Sequence, residues 1–456
     1  MTASTFDLPG AAPRTRPVAV RRVYAFELAK LISQWRLRLV LLGCLLAPAA
    51  YTAVISRQTS LPTDALYGRW MNQSGWAGSL AVLVFVGTLV LPLLTCLVAG
   101  DAFAIEDRLG TWRHLLVAVR SPGRIFLAKA LAVLTVTGVL LAALLASSVA
   151  GGLASVGSHP LPGLDGHPMG TGELARTVVL AWLSVVPPTL AFSAVGLLGS
   201  VALGRSPLGL LMPVLLALVL QGIQMMPVPV ALRVSLPMNA FISHRGLLPD
   251  PHQLGSLWVG LVVSLTWTLL ATLLAHRLFV RRDFTDPAYD GSGRRLLMTG
   301  LVPLIALASV TTATVAVTTR ATGSGIERTK LQAALATSFS HLYVLQSRQL
   351  RRPAVTVEQL QTTAGCDKAG ARVEDVGPGG DWRCVVSWTL PGSTATGSAI
   401  YQLDVAADGR FVADGDGPKE VNGFFQIATP TGDAPNPLWQ FDGTVDLLDN
   451  AREGTR

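Results

Sequence analysis

Charged residues are scarce in this chain. Only 14% of its 456 residues are Asp, Glu, Lys or Arg, whereas a soluble globular protein carries about 25%. Half of the residues are hydrophobic and the mean hydropathy is +0.47, so long stretches must lack charge altogether. The net charge is positive before Arg320 and negative from there onward. The basic excess therefore belongs to the hydrophobic part of the chain, and we expect no nucleic-acid-binding surface.

Two kinds of functional motif are missing as well. No charged residue lies near the middle of a long hydrophobic stretch, although such residues mark proton relays, ion-coupled transporters and voltage sensors. The chain also lacks the G-x-x-x-x-G-K-[ST] loop that holds ATP phosphates, and none of its five lysines follows a suitable glycine loop. We therefore expect no catalytic residue, no bound cofactor and no metal site. An ATP-driven step would need Mg-ATP on another polypeptide.

Long hydrophobic stretches are the main feature that the sequence does contain. Crossing a bilayer takes about 20 apolar residues in a helix, and seven stretches approach or exceed that length. They are Leu39–Val54, Gly78–Val98, Ile125–Val149, Thr177–Leu203, Leu208–Met226, Gly255–Val280 and Leu296–Thr318. The sequence therefore predicts an all-α polytopic membrane domain of about seven transmembrane helices.

The distribution of basic residues predicts the orientation of these helices. With the N-terminus in the cytoplasm, the inside segments hold eighteen Lys and Arg residues and the outside loops hold five, as the positive-inside rule requires. An odd number of spans then places the C-terminal part outside the inner membrane of a bacterium. Cys366 and Cys384 lie in that part, where an oxidising environment preserves disulfides. We expect them to be bridged, two unrelated thiols being the alternative, whereas Cys44 and Cys96 lie within apolar stretches as packing residues.

The C-terminal segment is expected to form a small extracytoplasmic α+β domain. Leu331, Leu335, Phe339 and Leu342 form a helical stripe, so an amphipathic helix is predicted over Ile326–Gln349. Apolar residues alternate at 384–388 and 401–405, which predicts strands, and the Thr/Gly/Asp-rich stretch 429–437 is interpreted as a loop. The predicted domains are a disordered cytoplasmic tail (1–17), a six-helix core (18–295), a seventh span (296–319) and the outer domain (320–456).

The segment between the second and third spans contains the most informative pattern. Phe103, Leu109, Trp112 and Leu116 recur at helical intervals. Gly110 is expected to break a first short helix and Thr111 to cap a second one. Glu106 and Asp107 fall on the polar side of the first helix. The sequence thus predicts a bent pair of cytoplasmic helices whose charged face suits docking against a soluble protein.

This segment resembles the first cytoplasmic loop of ABC-2 type permeases. The shared pattern consists of Glu106, Gly110-Thr111, Leu115-Leu116, Ser121 with Arg124, and Lys129. The segment 26–36, which contains Glu27, Lys30 and Trp35, is similar to the interfacial helix that precedes the family's first span, with its basic residues and Trp35 at headgroup depth. The chain departs from the family in two respects: Pro122 comes later in the turn, and a seventh span leads to an added outer domain.

The resemblance implies the membrane-spanning subunit of an ABC exporter. Its partners would be a cytoplasmic ABC ATPase, a second permease copy or paralogue, and the lipid bilayer. The residues that would transmit ATPase movement are Glu106, Arg108, Gly110, Thr111 and Arg113. The substrate is not specified by the sequence and could be a hydrophobic drug, a lipid or a glycan. The alternative is a membrane-anchored receptor or scaffold whose outer domain binds envelope material or a partner protein. An integral-membrane enzyme ranks last, because the loops contain no convergent acid, base and nucleophile.

Overall fold

The computed structural model describes residues 18–58, 70–71, 73–204, 207–226, 228–282, 284, 294, 297–319, 323–430 and 432–448. The predicted disordered tail, 1–17, lies outside these residues. The described chain is mostly helical and has a separate small β-sheet region at its C-terminal end. In chain order the helices are α1 (Val20–Ser33), α2 (Trp35–Ile55), α3 (Gly75–Gly100, with two π-helical turns), α4 (Ala104–Leu109), α5 (Trp112–Val119), α6 (Pro122–Val156), α7 (Thr171–Leu203, bent at Val185), α8 (Pro207–Met225), α9 (Val230–Val234), α10 (Pro237–Ala240), α11 (Gly255–Val280), α12 (Val302–Thr319), α13 (Arg328–Gln349) and α14 (Lys419–Asn422).

Six of these helices are long and apolar enough to cross a membrane: α2, α3, α6, α7, α11 and α12. The fifth predicted span falls on α8, whose apolar part is described as the shorter stretch Leu211–Met225. Many apolar side chains of α2, α11 and α12 remain exposed at the surface of the bundle. Contiguous exposed apolar surface of this extent is unfavourable in water, and it suits contact with lipid.

Small residues allow the membrane-type helices to approach closely. Helices α3 and α6 cross at Gly75 and Gly152, where a Cβ on Gly152 would lie 2.1 Å from the carbonyl oxygen of Gly75. Deeper between these helices, the Ser79 and Ser148 hydroxyls are 2.9 Å apart, and the Trp182 indole of α7 donates to Ser79 Oγ at 3.0 Å. Close backbone approach and interhelical hydrogen bonds are the usual means of helix association in lipid.

The C-terminal region forms a five-stranded antiparallel sheet with α13 packed against it. Its strands are β3 (Gln361–Lys368), β4 (Gly379–Thr389), β5 (Thr396–Val405), β6 (Arg410–Gly415) and β9 (Gln440–Thr444), in that spatial order. Leu331, Leu335 and Phe339 of α13 are fully buried against the sheet, which confirms the predicted helical stripe. Stretch 429–437 is not simply a loop, because β7 (Gln426–Thr429) and β8 (Gly432–Pro435) pair there as a hairpin. A short hairpin lies between α6 and α7, and its strands β1 (Leu161–Pro162) and β2 (Pro168–Met169) have two residues each.

The predicted cysteine pair is joined in the structure. Cys366 of β3 and Cys384 of β4 face each other across the antiparallel pair, with 2.05 Å between their sulfur atoms. Both side chains are buried in the domain core, and the two cysteines are 18 positions apart in the sequence. Cys44 and Cys96 are buried and take no part in the disulfide. The sequence prediction of one disulfide and two packing cysteines is therefore confirmed.

Removal of this disulfide should destabilise the C-terminal domain by about 3 kcal/mol, the loop-closure value for a ring of this size. The Cys366→Ala/Cys384→Ala double variant, compared with Cys96→Ala as the control, should show this loss in urea titrations followed by proteolysis of the domain. Peptide mapping without reduction should recover Cys366 linked to Cys384. Recovery of Cys366 as an alkylatable thiol in the unreduced protein would contradict the prediction.

The C-terminal domain contacts the loops at one end of the helical bundle. Asp408, in the turn after β5, pairs with Arg245 of the α10–α11 connection. Gln253 Nε2 donates to the carbonyl oxygen of Thr444 at 3.2 Å. His341 Nδ1 of α13 lies 3.1 Å from Asp165 in the β1–β2 hairpin. Burial opposes ionisation of Asp408, but the neighbouring Arg245 and Arg410 guanidinium groups lower its pKa below the ordinary value.

Candidate functional site

The two short helices α4 and α5 lie at the opposite end of the bundle and form a bent unit, which we call the elbow (residues 104–119). Helix α4 ends at Leu109, and Gly110 adopts a left-handed conformation with φ of +67°, which glycine accepts without a Cβ penalty. Helix α5 follows at once, and α6 begins with Pro122 at its first position. The predicted bent helix pair is confirmed. Thr111 precedes α5, but its side chain makes no cap.

Glu106 points into the protein. Its side chain is only 1% exposed and accepts hydrogen bonds from Lys129 Nζ at 2.9 Å, from Lys30 Nζ and from the Thr111 hydroxyl. The prediction that Glu106 and Asp107 form an exposed polar face is wrong, because both are buried. Tertiary contacts from distant helices surround α4, and no local pattern in α4 reveals them. A carboxylate that accepts three hydrogen bonds anchors the elbow from within.

Glu106 belongs to a charge cluster that joins α1, α4 and α6. Its members are Glu27, Lys30, Glu106 and Lys129, and we call it the buried charge cluster. Lys129 Nζ also donates to Glu27 Oε2 at 2.8 Å, and both side chains are almost fully buried. Two carboxylates face two ammonium groups, so the formal charges balance. Burial opposes ionisation of Glu106, but Lys129, Lys30 and Thr111 outweigh this effect and lower its pKa to about 2.

The predicted interfacial helix is thus only partly a surface element. Helix α1 is followed by a break at Gln34, and Trp35, which begins α2, is 68% exposed. Lys30 is partly exposed, at 28% of its side chain. Glu27, however, is 3% exposed and pairs with Lys129 of α6. The sequence pattern of basic residues and Trp35 did not distinguish the inward face of α1.

A second ion pair joins the elbow to the end of α11. Arg282 donates to both carboxylate oxygens of Asp107, at 2.9 Å to Oδ2 and at 2.5 Å to Oδ1, and each side chain is 5% exposed. The Trp112 indole donates to the same carboxylate at 2.8 Å, and its ring packs against Phe279 and Phe284. This contact could not be predicted from the sequence, because its partners are 175 residues apart. The one local indication of a buried ion pair was the pair of acidic residues before Gly110.

A different set of residues forms the outer face of the elbow. We call Arg108, Leu109, Arg113, His114 and Val117 the elbow surface, because all five are exposed. Leu109 is 64% exposed and Val117 is 69% exposed. Arg108 pairs with Asp101, which lies three residues before the start of the elbow. This surface presents apolar groups among basic ones on helices that are anchored by buried ion pairs, which is a suitable composition for a protein-docking surface.

The described residues contain no group of three or more His, Cys, Asp or Glu side chains suited to a metal ion. His167 instead lies 2.5 Å from Asp165, a pair that raises the pKa of His167 despite its burial. No family model matches the chain, and no curated protein matches it.

Proposed function

We propose that this chain is the membrane-spanning subunit of an ABC-2 type exporter that uses ATP hydrolysed by a separate ATPase. The observation that carries the proposal is the elbow. Its outer surface is exposed, apolar and basic, whereas the buried carboxylates of its inner side form ion pairs with Lys30, Lys129 and Arg282. When a soluble partner exerts force on such a surface, the buried ion pairs oppose local deformation of the elbow. The substrate would be a hydrophobic drug, a lipid or a glycan.

The proposed topology has seven spans, with the elbow in the cytoplasm and the C-terminal domain outside the cell. Three observations support it. The disulfide suits an oxidising compartment. The C-terminal domain contacts the α6–α7 and α10–α11 connections, at the end of the bundle away from the elbow. Helix α8 ends near α9, where Gln224 Nε2 donates to the carbonyl oxygen of Arg233 at 3.0 Å. It thus reaches the same end as those connections, as a seventh crossing requires.

The ion pairs suggest how movement of the elbow would reach the membrane helices. A docked ATPase would contact Leu109, Arg113 and Val117. Displacement of the elbow would pull on α1 and α6 through the buried charge cluster, and on the end of α11 through Arg282. Glu106 and Thr111 therefore act as positioning residues inside the elbow, Gly110 provides its bend, and Arg108 and Arg113 belong to its contact surface. A second permease copy or paralogue would complete the path, and Mg-ATP would be bound by the ATPase.

Site-specific photo-crosslinking tests this function. A benzophenone amino acid at Leu109 or Val117, in native host membranes, should capture a soluble protein that contains a P-loop and an ABC signature. Arg113→Glu should reduce the yield several-fold, because charge reversal opposes docking. The same photo-reactive residue at Phe425, which is equally exposed but lies in the C-terminal domain, serves as the matched control and should capture no ATPase.

Absence of a P-loop protein from the crosslinked products of Leu109 and Val117 would contradict the exporter proposal. Capture of the ATPase at Phe425 would instead reverse the proposed orientation. In the first case the receptor or scaffold function would move ahead. One observation favours that second candidate, namely a cavity in the C-terminal domain that does not belong to the elbow.

A further inference from the structure

The C-terminal domain contains a cavity of about 450 Å³ between α13, the sheet and the β7–β8 hairpin. This volume lies in the range of small-molecule pockets, which is roughly 300–1,000 Å³. One wall is aromatic. The Trp388 ring of β4 lies 4.8 Å from Phe339 and 5.7 Å from Tyr343, measured between ring centroids. Trp388 is held in place by its close packing over Gly397, so the wall is preformed.

Most polar side chains of the cavity already form hydrogen bonds within the protein. Gln346 Nε2 donates to Asn436 Oδ1 at 2.7 Å, and Asn436 Nδ2 donates to the carbonyl oxygen of Phe424 at 2.8 Å. The Asn422 side chain makes two hydrogen bonds with the backbone of Ile400. These amides shape the cavity and have little capacity left for the many hydroxyl groups of a sugar. A carbohydrate is therefore a poor match.

Among the described residues that line the cavity, Arg352 is the one charged side chain, and it is basic. A guanidinium group binds carboxylates and phosphates with two parallel hydrogen bonds. Phe424 lies at the rim and is 62% exposed, although it is a large apolar residue. A ligand that covered this ring would remove its apolar surface from water.

We propose that this cavity binds a soluble organic anion whose ring-sized apolar body stacks between Trp388 and Phe424 and whose carboxylate or phosphate group meets Arg352. The aromatic wall selects the flat apolar body, and the lone cation selects the negative charge. This site is independent of the elbow. Its occupancy neither requires nor excludes an ATPase partner.

Equilibrium dialysis of the full chain in phosphatidylcholine nanodiscs tests the assignment with three probes: 2-naphthoate, 2-naphthyl phosphate and the neutral 2-naphthamide. At least one of the anions should bind saturably at one site per chain, and the amide should bind about tenfold more weakly, because it lacks the charge-assisted hydrogen bonds. Arg352→Gln should weaken binding of the anion by about tenfold. Phe424→Ser should weaken it by about fivefold, the size of one lost aromatic contact.

The chain supplies a matched control for each variant. Arg351 is an exposed neighbour that does not line the cavity, and Phe425 is exposed to the same 62% as Phe424. Arg351→Gln and Phe425→Ser should bind the anions like the unmodified chain. Equal losses in the control variants, equal binding of the amide, or no saturable binding beyond empty nanodiscs would overturn the proposal. Loss of naphthoate binding when the nanodiscs contain phosphatidylglycerol would assign the site to a lipid phosphate and overturn the soluble-ligand assignment.

Discussion

Replacing Lys129 with methionine should destabilise the helical domain by about 3–5 kcal/mol, the usual cost of removing one partner from a buried ion pair. Lys129 is 3% exposed and holds two buried carboxylates, Glu27 at 2.8 Å and Glu106 at 2.9 Å. Without the ammonium group, both would remain in a low-dielectric environment with only Lys30 nearby. Methionine keeps the volume and the apolar stem, so the variant tests the charge rather than the packing.

Thermal stability in detergent, followed as the monodisperse fraction after heating, measures this effect. Lys30→Met is the matched control, because Lys30 contacts the same Glu106 but is 28% exposed. It should cost about 1 kcal/mol or less, as partly exposed pairs do. Adding Glu27→Gln to Lys129→Met should recover part of the loss. Equal stability of Lys129→Met and the unmodified chain would show that the buried charge cluster does not hold the helices together.

The same cluster predicts an acid dependence. The pKa of Glu106 is lowered from 4.5 to about 2 in the folded protein. Its contribution to stability is therefore fully present above pH 4.5 and is lost as the pH falls toward 2. In Lys129→Met the pKa of Glu106 should rise, so the acid transition of the helical domain should begin at a higher pH. An unchanged acid transition in the variant would contradict the assigned ion pair.

Replacing Arg282 with methionine should release the elbow from the end of α11. The Arg282–Asp107 pair is bidentate and nearly fully buried, so its loss should cost about 3–5 kcal/mol. The lost ion pair lowers the free energy needed to open the elbow locally. Amide hydrogen exchange within residues 104–119 should therefore become about a hundredfold faster or more. Exchange in the sheet of the C-terminal domain should not change, since the two lie at opposite ends of the bundle.

Arg277 provides the control for this variant. Arg277 lies in the last turns of the same helix and is exposed. Arg277→Met should therefore leave amide hydrogen exchange in the elbow unchanged. Slow exchange in the elbow of Arg282→Met would mean that the Trp112 packing and the buried charge cluster suffice to hold it. The elbow would then transmit movement to α1 and α6 but not to α11.

Local patterns were sufficient to predict several elements of the fold. In the part of the chain that the structure describes, six of the seven apolar stretches became helices long and apolar enough to cross a bilayer, because hydrophobic length decides which segments qualify. The stripe of Leu331, Leu335 and Phe339 became the buried face of α13, and alternation predicted β4 and β5. Gly110 marked the bend of the elbow, because a left-handed position strongly favours glycine. Each of these properties depends on residues that are close in the sequence.

Contacts between distant residues could not be predicted in the same way. Stretch 429–437 was interpreted as a loop from its Thr, Gly and Asp content, yet it contains β8, which pairs with β7 as a hairpin, and β7 lines the cavity. Pairing of such short strands depends on what they pack against rather than on their own propensity. The cavity likewise combines residues of α13, β4, β5 and the hairpin, so no single segment of the sequence predicts it.

The charged residues show most clearly where the sequence stops being informative. By itself it determined an apolar helical protein, a bend at Gly110, one disulfide and the presence of an acidic pair beside that bend. Only the tertiary structure decided that Glu106 and Asp107 face inward, because their basic partners Lys129 and Arg282 are 23 and 175 residues away. A buried charge is stable only when a partner reaches it. The direction of a charged side chain is therefore settled by the assembled helices and not by its neighbours in the chain.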